Sequence, residues 1–325
     1  MAGLPGKDLD PSTLRLICEK GINNFIIFKR NVQTPAQLTG LCRDIVWACR
    51  ENDLQSPIIS IDQEGGSVAR LPPPFSQFAG ARKLSESHNP ENAVSDYARI
   101  CAQELKNVGI TMNLAPVLDV CPKDRGFFME DRVYGSTYQE VVELGCSVIR
   151  VMQEQGIAAC GKHFPGLGRA VLDPHERLPV VESSLEILEK EDFIPFVEAV
   201  SAGVAAIMTS HTIYTGLDHQ YPATMSEKIL TGLLRNTMKF DGVIITDDLE
   251  MGAIETNGLV SDASVKAFKA GADLLLICHD HNKVERAYDA MHAKISKGEI
   301  TDARLQASLK RIQGLSDRFA KDCAT

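Results

Sequence analysis

Acids and bases recur at one kind of place along this chain, at or just after the end of a short apolar run. Lys29 and Arg30 follow residues 24–28 (NFIIF), and Asp62 follows 57–61 (PIISI). Asp119 follows 111–118, Lys162 and His163 follow 157–160, and His211 comes shortly after 204–208. Asp247 follows 242–245, and His279 follows 273–278 (DLLLIC). A charge beside a buried strand loses hydration, so one such residue is noise and a series in phase asks for a chemical reason. The densest stretch is 161–179, GKHFPGLGRAVLDPHERLP. It opens on Lys162 and His163, loops through Pro165, Gly166 and Gly168, and carries Asp173 and His175 two positions apart.

These residue types suit glycoside transfer. Cleaving an acetal takes a proton donor at the leaving oxygen and a carboxylate beneath the anomeric carbon. Asp247 stands at a strand end, where a nucleophile is held on rigid scaffold. His175, on a loop, could donate the proton and later take one from water, with Asp173 holding its imidazole. Asp62, Arg70, Arg132, Lys162 and His163 form an array able to replace the water hydrogen bonds that sugar hydroxyls lose on binding. His211 reads as a satisfied rim histidine. His279 and His281 flank Asp280, but three residues on one loop without a distant partner read as solvated rather than metal-ligating.

The elements that must position these groups are short strands alternating with helices of ten or more residues. The strands are continuous apolar runs, as in a parallel sheet covered on both faces. Seven are clear, and residues 2–4 supply a truncated eighth. Helices are expected near 14–20, 35–51, 90–107, 138–155, 185–202, 226–238 and 262–270, and from about 283 to 321. Eight such units predict an α/β fold of the (β/α)8 barrel type, a single domain over 1–325, with every strand-end residue on the C-terminal rim. The glycine clusters match neither GxGxxG nor GxxxxGK[ST], the phosphate-cradling patterns of many open sheets. The longest loops follow Asp62, Asp119 and His163, which places the chemistry on the third to fifth units.

Composition excludes several classes. The net charge of −9 argues against nucleic acid as principal partner. No apolar run approaches a membrane span, and no basic-then-apolar leader opens the chain, so a cytoplasmic location is expected. The nine cysteines are odd in number and include no CxxC pair. They read as reduced, mostly buried thiols, with Cys18, Cys42, Cys101, Cys146 and Cys160 in apolar patterns.

Longer motifs carry a resemblance. IDQEGGSVARL at 61–71, KHFPGLG at 162–168, DPH at 173–175 and GVIITDDLEMGAI at 242–254 are similar to those of glycoside hydrolase family 3. Within it they resemble the single-domain NagZ-type β-N-acetylglucosaminidases. APVLDV at 115–120, DRVYG at 131–135, TSHTIY at 209–214 and YPATMSEKIL at 221–230 match in the same order. The resemblance implies Asp247 as nucleophile of a covalent glycosyl-enzyme, His175 as acid/base and Asp173 as its dyad partner. Asp62, Arg70, Arg132, Lys162 and His163 would bind a non-reducing GlcNAc, and Asp248 would be structural. The implied substrate is GlcNAc-1,6-anhydro-MurNAc, with or without peptide, in cell-wall recycling. No metal or organic cofactor is implied.

Three departures from the family pattern bear on the site. Leu167 replaces a histidine, removing a polar contact from the loop. Pro174 replaces the serine between the dyad residues, stiffening the backbone there. The family pattern also has a helix and most of a first strand ahead of Met1, which predicts an unpaired barrel edge at residues 2–4. Two alternatives stay open: a family 3 phosphorylase or glucosidase, and a catalytically impaired sugar-binding protein.

Overall fold

The computed structural model describes residues 1–123, 126–174 and 177–320. His175 and Cys323 therefore lie outside the described residues. Eight parallel strands form one sheet: β1 (Ala2–Gly3), β2 (Phe25–Ile27), β3 (Ile59–Ile61), β4 (Met112–Asn113), β5 (Ala158–Phe164), β7 (Ala206–Thr209), β9 (Val243–Asp248) and β10 (Leu274–Leu276). A separate parallel pair, β6 (Val180–Val181) with β8 (Ile213–Tyr214), lies outside it.

The sheet closes on itself. Ala2 bridges Ile277, the Gly3 N–H donates to Ile277 O at 3.0 Å, and the Ile277 N–H donates to Met1 O at 3.1 Å. The expected unpaired edge at residues 2–4 is thus absent. β1 is short, but it bonds to β2 on one side and to the chain after β10 on the other.

Alternation along the strands divides the core in two. Ile26, Met112, Ala158, Cys160, Ala206, Met208, Val243, Ile245, Leu274 and Leu276 pack together with Leu315 and Phe319 of the C-terminal helix Asp302–Phe319. Their partners Phe25, Ile27, Ile59, Ile61, Ala159, Ile207 and Ile244 pack into the larger cluster that includes the helices. Both faces are dry, which is why the strands read as unbroken apolar runs.

The helices begin and end on local signals. Asp10 caps Pro11–Lys20 by accepting from the Ser12 and Thr13 N–H groups, and Gly21 closes it at φ 65°. Thr137 and Glu140 form a capping box on Tyr138–Glu154. Cys18 departs from expectation: it is exposed, whereas the other described cysteines are buried.

Other corrections matter more for the site. The apolar runs at 157–160 and 242–245 under-read two strands. β5 continues through Lys162 and His163 to Phe164, and β9 through Asp247 to Asp248. Polar residues there still join the ladder, so hydropathy ends before the hydrogen bonding does. The opposite holds for 111–118, where regular pairing stops after Asn113 and Pro116 has no N–H to donate. The expected helix 185–202 is broken into Leu185–Ile187, a wide-turned segment Leu188–Asp192, and Ile194–Ser201 with Pro195 in its first turn. A short helix, Ala81–Ser85, was not expected.

Candidate active site

Six of the expected site residues converge on one cavity at the C-terminal rim, with about 750 Å³ of empty space. Asp62, Arg70, Arg132, Lys162, His163 and Asp247 all line it, together with Phe28, Asp248, Met251 and His279. Asp173 is not in the lining, although Pro174 beside it is. Its floor is apolar: Ile26, Leu114, Met208 and Leu276 come up from the barrel interior.

The polar wall is a row of alternating charges. Lys162 Nζ, on β5, lies 2.7 Å from both Asp62 Oδ1 and Glu64 Oε1. Arg132 grips Glu64 with two bonds, Nη2 to Oε1 at 2.7 Å and Nε to Oε2 at 3.0 Å. Arg70 Nη2 lies 3.5 Å from Asp62 Oδ2. The order is Arg70, Asp62, Lys162, Glu64, Arg132. Its three cations against two carboxylates leave one positive charge to face Asp247. Arg70 Nε is buried and, among the described residues, has no hydrogen-bond partner. Gln63 folds under the loop and accepts the Arg70 and Leu71 N–H groups through Oε1 at 2.7 and 3.3 Å.

His163 is fixed from below. Its Nδ1 is 2.8 Å from Asp119 Oδ2, and because a carboxylate only accepts, Nδ1 carries the proton. Asp119 Oδ1 accepts the backbone N–H groups of His163 and Leu167 at 3.1 and 2.6 Å. Leu167 is buried: the side chain that replaces the expected histidine packs on the core and lines the cavity with apolar surface, while its backbone N–H bonds Asp119.

Residues 9–315 match the family model of the glycosyl hydrolase family 3 N-terminal domain. The chain belongs to glycoside hydrolase family 3. It is 35% identical to a β-hexosaminidase of Thiobacillus denitrificans, over 97% of this chain and 86% of that protein. Its fold superposes at a TM-score of 0.96 on a family 3 β-N-acetylglucosaminidase from a Paenibacillus species, with 37% identity. That match covers 99% of this chain and 61% of the Paenibacillus chain, so this chain spans less than two thirds of that relative. NagZ of Neisseria gonorrhoeae superposes at 0.79 with 27% identity, over 97% of each chain.

Within this family 3 glycosidase the electrostatics favour an ionised Asp247. Burial opposes its charge, but His163, His211, Lys162 and the Asp248 N–H (2.8 Å to Oδ1) outweigh that and hold its pKa below the usual value. Glu64 behaves likewise: burial is overcome by Lys162 and Arg132, and its pKa falls far below the carboxylate range. Lys162 is raised, burial being outweighed by Asp62 and Glu64. Asp248 goes the other way, to about 7, because burial dominates and Glu250 and Asp247 add repulsion.

The histidines separate cleanly. His211 is buried with both nitrogens engaged, Nδ1 with Thr224 Oγ1 at 2.7 Å and Nε2 with Asp248 O at 2.9 Å, as a satisfied rim histidine should be. His281 bonds Ser12 Oγ and Gly3 O, each at 2.8 Å, and so ties a helix start to β1. His279 lines the cavity, 3.2 Å from Arg30 Nη1, with its ring 5.6 Å from that of Phe28.

Three site groups had no assigned role in the sequence reading. Glu64 lies two residues past Asp62 in the DQEGG run, a spacing that in extended chain returns to the same side. Asp119 was visible as a strand-end acid but not as the support of His163. Phe28 had no signal beyond its place at the end of the apolar run 24–28, one residue past β2.

Proposed function

We propose that this family 3 glycosidase is a retaining exo-β-N-acetylglucosaminidase. Asp247 attacks the anomeric carbon, and His175, held by Asp173, protonates the leaving oxygen. The same imidazole then deprotonates the water that releases the sugar. Asp62, Arg70, Arg132, Lys162 and His163 bind the hydroxyls of the terminal GlcNAc. The proposed substrate is GlcNAc-1,6-anhydro-MurNAc, with or without its peptide, turned over in cytoplasmic cell-wall recycling.

The observation that carries the reading is Asp247 itself. It is a carboxylate on a rigid strand, held below its usual pKa by His163, His211, the Asp248 N–H and Lys162, and it lines a cavity whose polar wall is suited to hydroxyls. The names of the relatives, β-hexosaminidase and β-N-acetylglucosaminidase, support the sugar assignment. The test is release of nitrophenol from its β-GlcNAc glycoside, with the anomer of the first product read by proton NMR. Asp247→Ala should lower turnover by at least about 10³-fold. Undiminished turnover, or an α-anomer as first product, would sink the assignment.

A further inference from the structure

The loop that carries Asp173 is fixed on either side by different means. On its near side the Tyr214 hydroxyl donates to Gly166 O at 3.0 Å and Asp119 takes the Leu167 N–H. Gly168 lies so close to Val120 that a Cβ would sit 2.2 Å from its carbonyl oxygen. On its far side the Ala253 N–H donates to Pro174 O at 3.0 Å. Between these, Val171 and Leu172 stand in solvent, 69% and 49% exposed.

Among the described residues, Arg169 forms an ionic bridge from this loop to the scaffold. Arg169 Nε lies 3.0 and 3.3 Å from the two oxygens of Asp192, and its Nη2 pairs with Glu191. The Asp192 carboxylate is fully buried, and among the described residues Arg169 is its one hydrogen-bond donor. A buried carboxylate costs desolvation that a surface pair would not. Asp192 also sits in the wide-turned segment Leu188–Asp192, and such turns inside helices often mark functional positions.

We propose that the Arg169–Asp192 pair is a positioning device that sets the reach of the acid/base loop over the cavity. This rests on the functional reading above. Arg169 touches no substrate in this scheme. It fixes the backbone four residues before Asp173, and the Ala253 N–H holds Pro174 one residue after it. With Leu167 buried in place of a histidine, the pair adds a side-chain ionic hold to the hydrogen bonds that fix the backbone at Gly166, Leu167 and Pro174. Groups facing Asp192 are Arg169 from the loop, Glu191 beside it, Asp119 after β4 and Tyr214 on β8. Burial, with Glu191 and Asp119 adding to it, raises Asp192 to about 7 in spite of Arg169. The hold therefore weakens as pH falls below neutrality.

The test separates proton delivery from stability. kcat/KM is measured on the dinitrophenyl β-GlcNAc glycoside, whose leaving group departs without a proton, and on the GlcNAc-anhydro-MurNAc disaccharide, whose leaving group needs one. Arg169→Gln should lower kcat/KM for the disaccharide by about 10–100-fold and for the dinitrophenyl glycoside by less than about threefold. Arg169→Lys should recover most of the loss. Asp192→Asn, checked as folded by its melting curve, should show the same split. Equal losses on both substrates, or no loss on either, overturn the proposal. If the unaltered protein cleaves neither, the functional reading fails first and takes this one with it.

Discussion

Glu64 offers the sharpest test of how the sugar-binding wall is held. It is buried, 5% exposed, and it is the shared counter-ion of Lys162 and Arg132. Glu64→Gln keeps the shape and removes the charge. Lys162 would retain Asp62, but Arg132 would face one neutral amide oxygen and an NH2 group in place of the two carboxylate oxygens that it grips. Removing one partner of a buried ion pair costs about 3–5 kcal/mol, because the remaining charge stays desolvated. Unfolding entropy of about 2.1 cal/mol/K per residue, over 325 residues, makes 1 kcal/mol worth about 1.5 °C. The melting temperature at pH 7 should therefore fall by about 4–7 °C.

The pH dependence gives a second handle with a definite sign. Glu64 is depressed in the folded state, so its contribution is complete above the ordinary value of 4.5 and is lost as pH falls through that value toward the folded one. The gap in melting temperature between the parent and Glu64→Gln should hold steady from pH 8 to about 5 and narrow below. Scanning calorimetry at unit intervals of pH reads both quantities. A gap under about 1 °C at pH 7, or one that stays constant to pH 3, would refute the reasoning.

Three further substitutions probe neighbouring parts. Asp248→Asn should stabilise the protein at pH 8 by on the order of a few kcal/mol, because burial raises this acid to about 7 and ionising it in the fold is unfavourable. A raised acid destabilises progressively as pH rises from its unfolded value to its folded one, so denaturant melts should show the advantage fading toward pH 4. Gly168→Ala should cost more than about 2 kcal/mol by the same measurement, since the clash is with backbone oxygen and cannot be relieved by a side-chain rotation. Tyr214→Phe leaves Gly166 O without its 3.0 Å donor and should cost about 1–2 kcal/mol.

How far the sequence could be read depends on the range of the forces involved. Burial on both faces leaves its mark in every strand, so eight βα units and their common rim were legible from apolar runs alone. Convergence of Asp62, Lys162, His163 and Asp247 then followed from topology, because parallel strands in a barrel present one end together. Closure at β1 was not legible. Two residues bonded on both sides look, in one dimension, like the remnant of a strand, and what closes the ring is backbone bonding that any side chain permits. The limits of β5 and β9 were misplaced for a related reason, since hydropathy reports burial while a strand is defined by its ladder.

The same distinction explains the site. A group that meets substrate must be polar at a position that should be apolar, and that contradiction is visible in the sequence. A group that holds another in place need contradict nothing. Asp119 looks like any strand-end acid until His163 and Leu167 are seen bonded to its two oxygens. Glu64 looks like the tail of a motif until Lys162 and Arg132 close on it. Arg169 carries no signal of its own in the sequence, and its role shows only where the buried Asp192 lies at the end of its reach. Supporting residues become visible only when partners far apart in sequence are brought together. They are accordingly where the fold adds most to the reading, and where substitutions should alter rate and stability without touching the sugar.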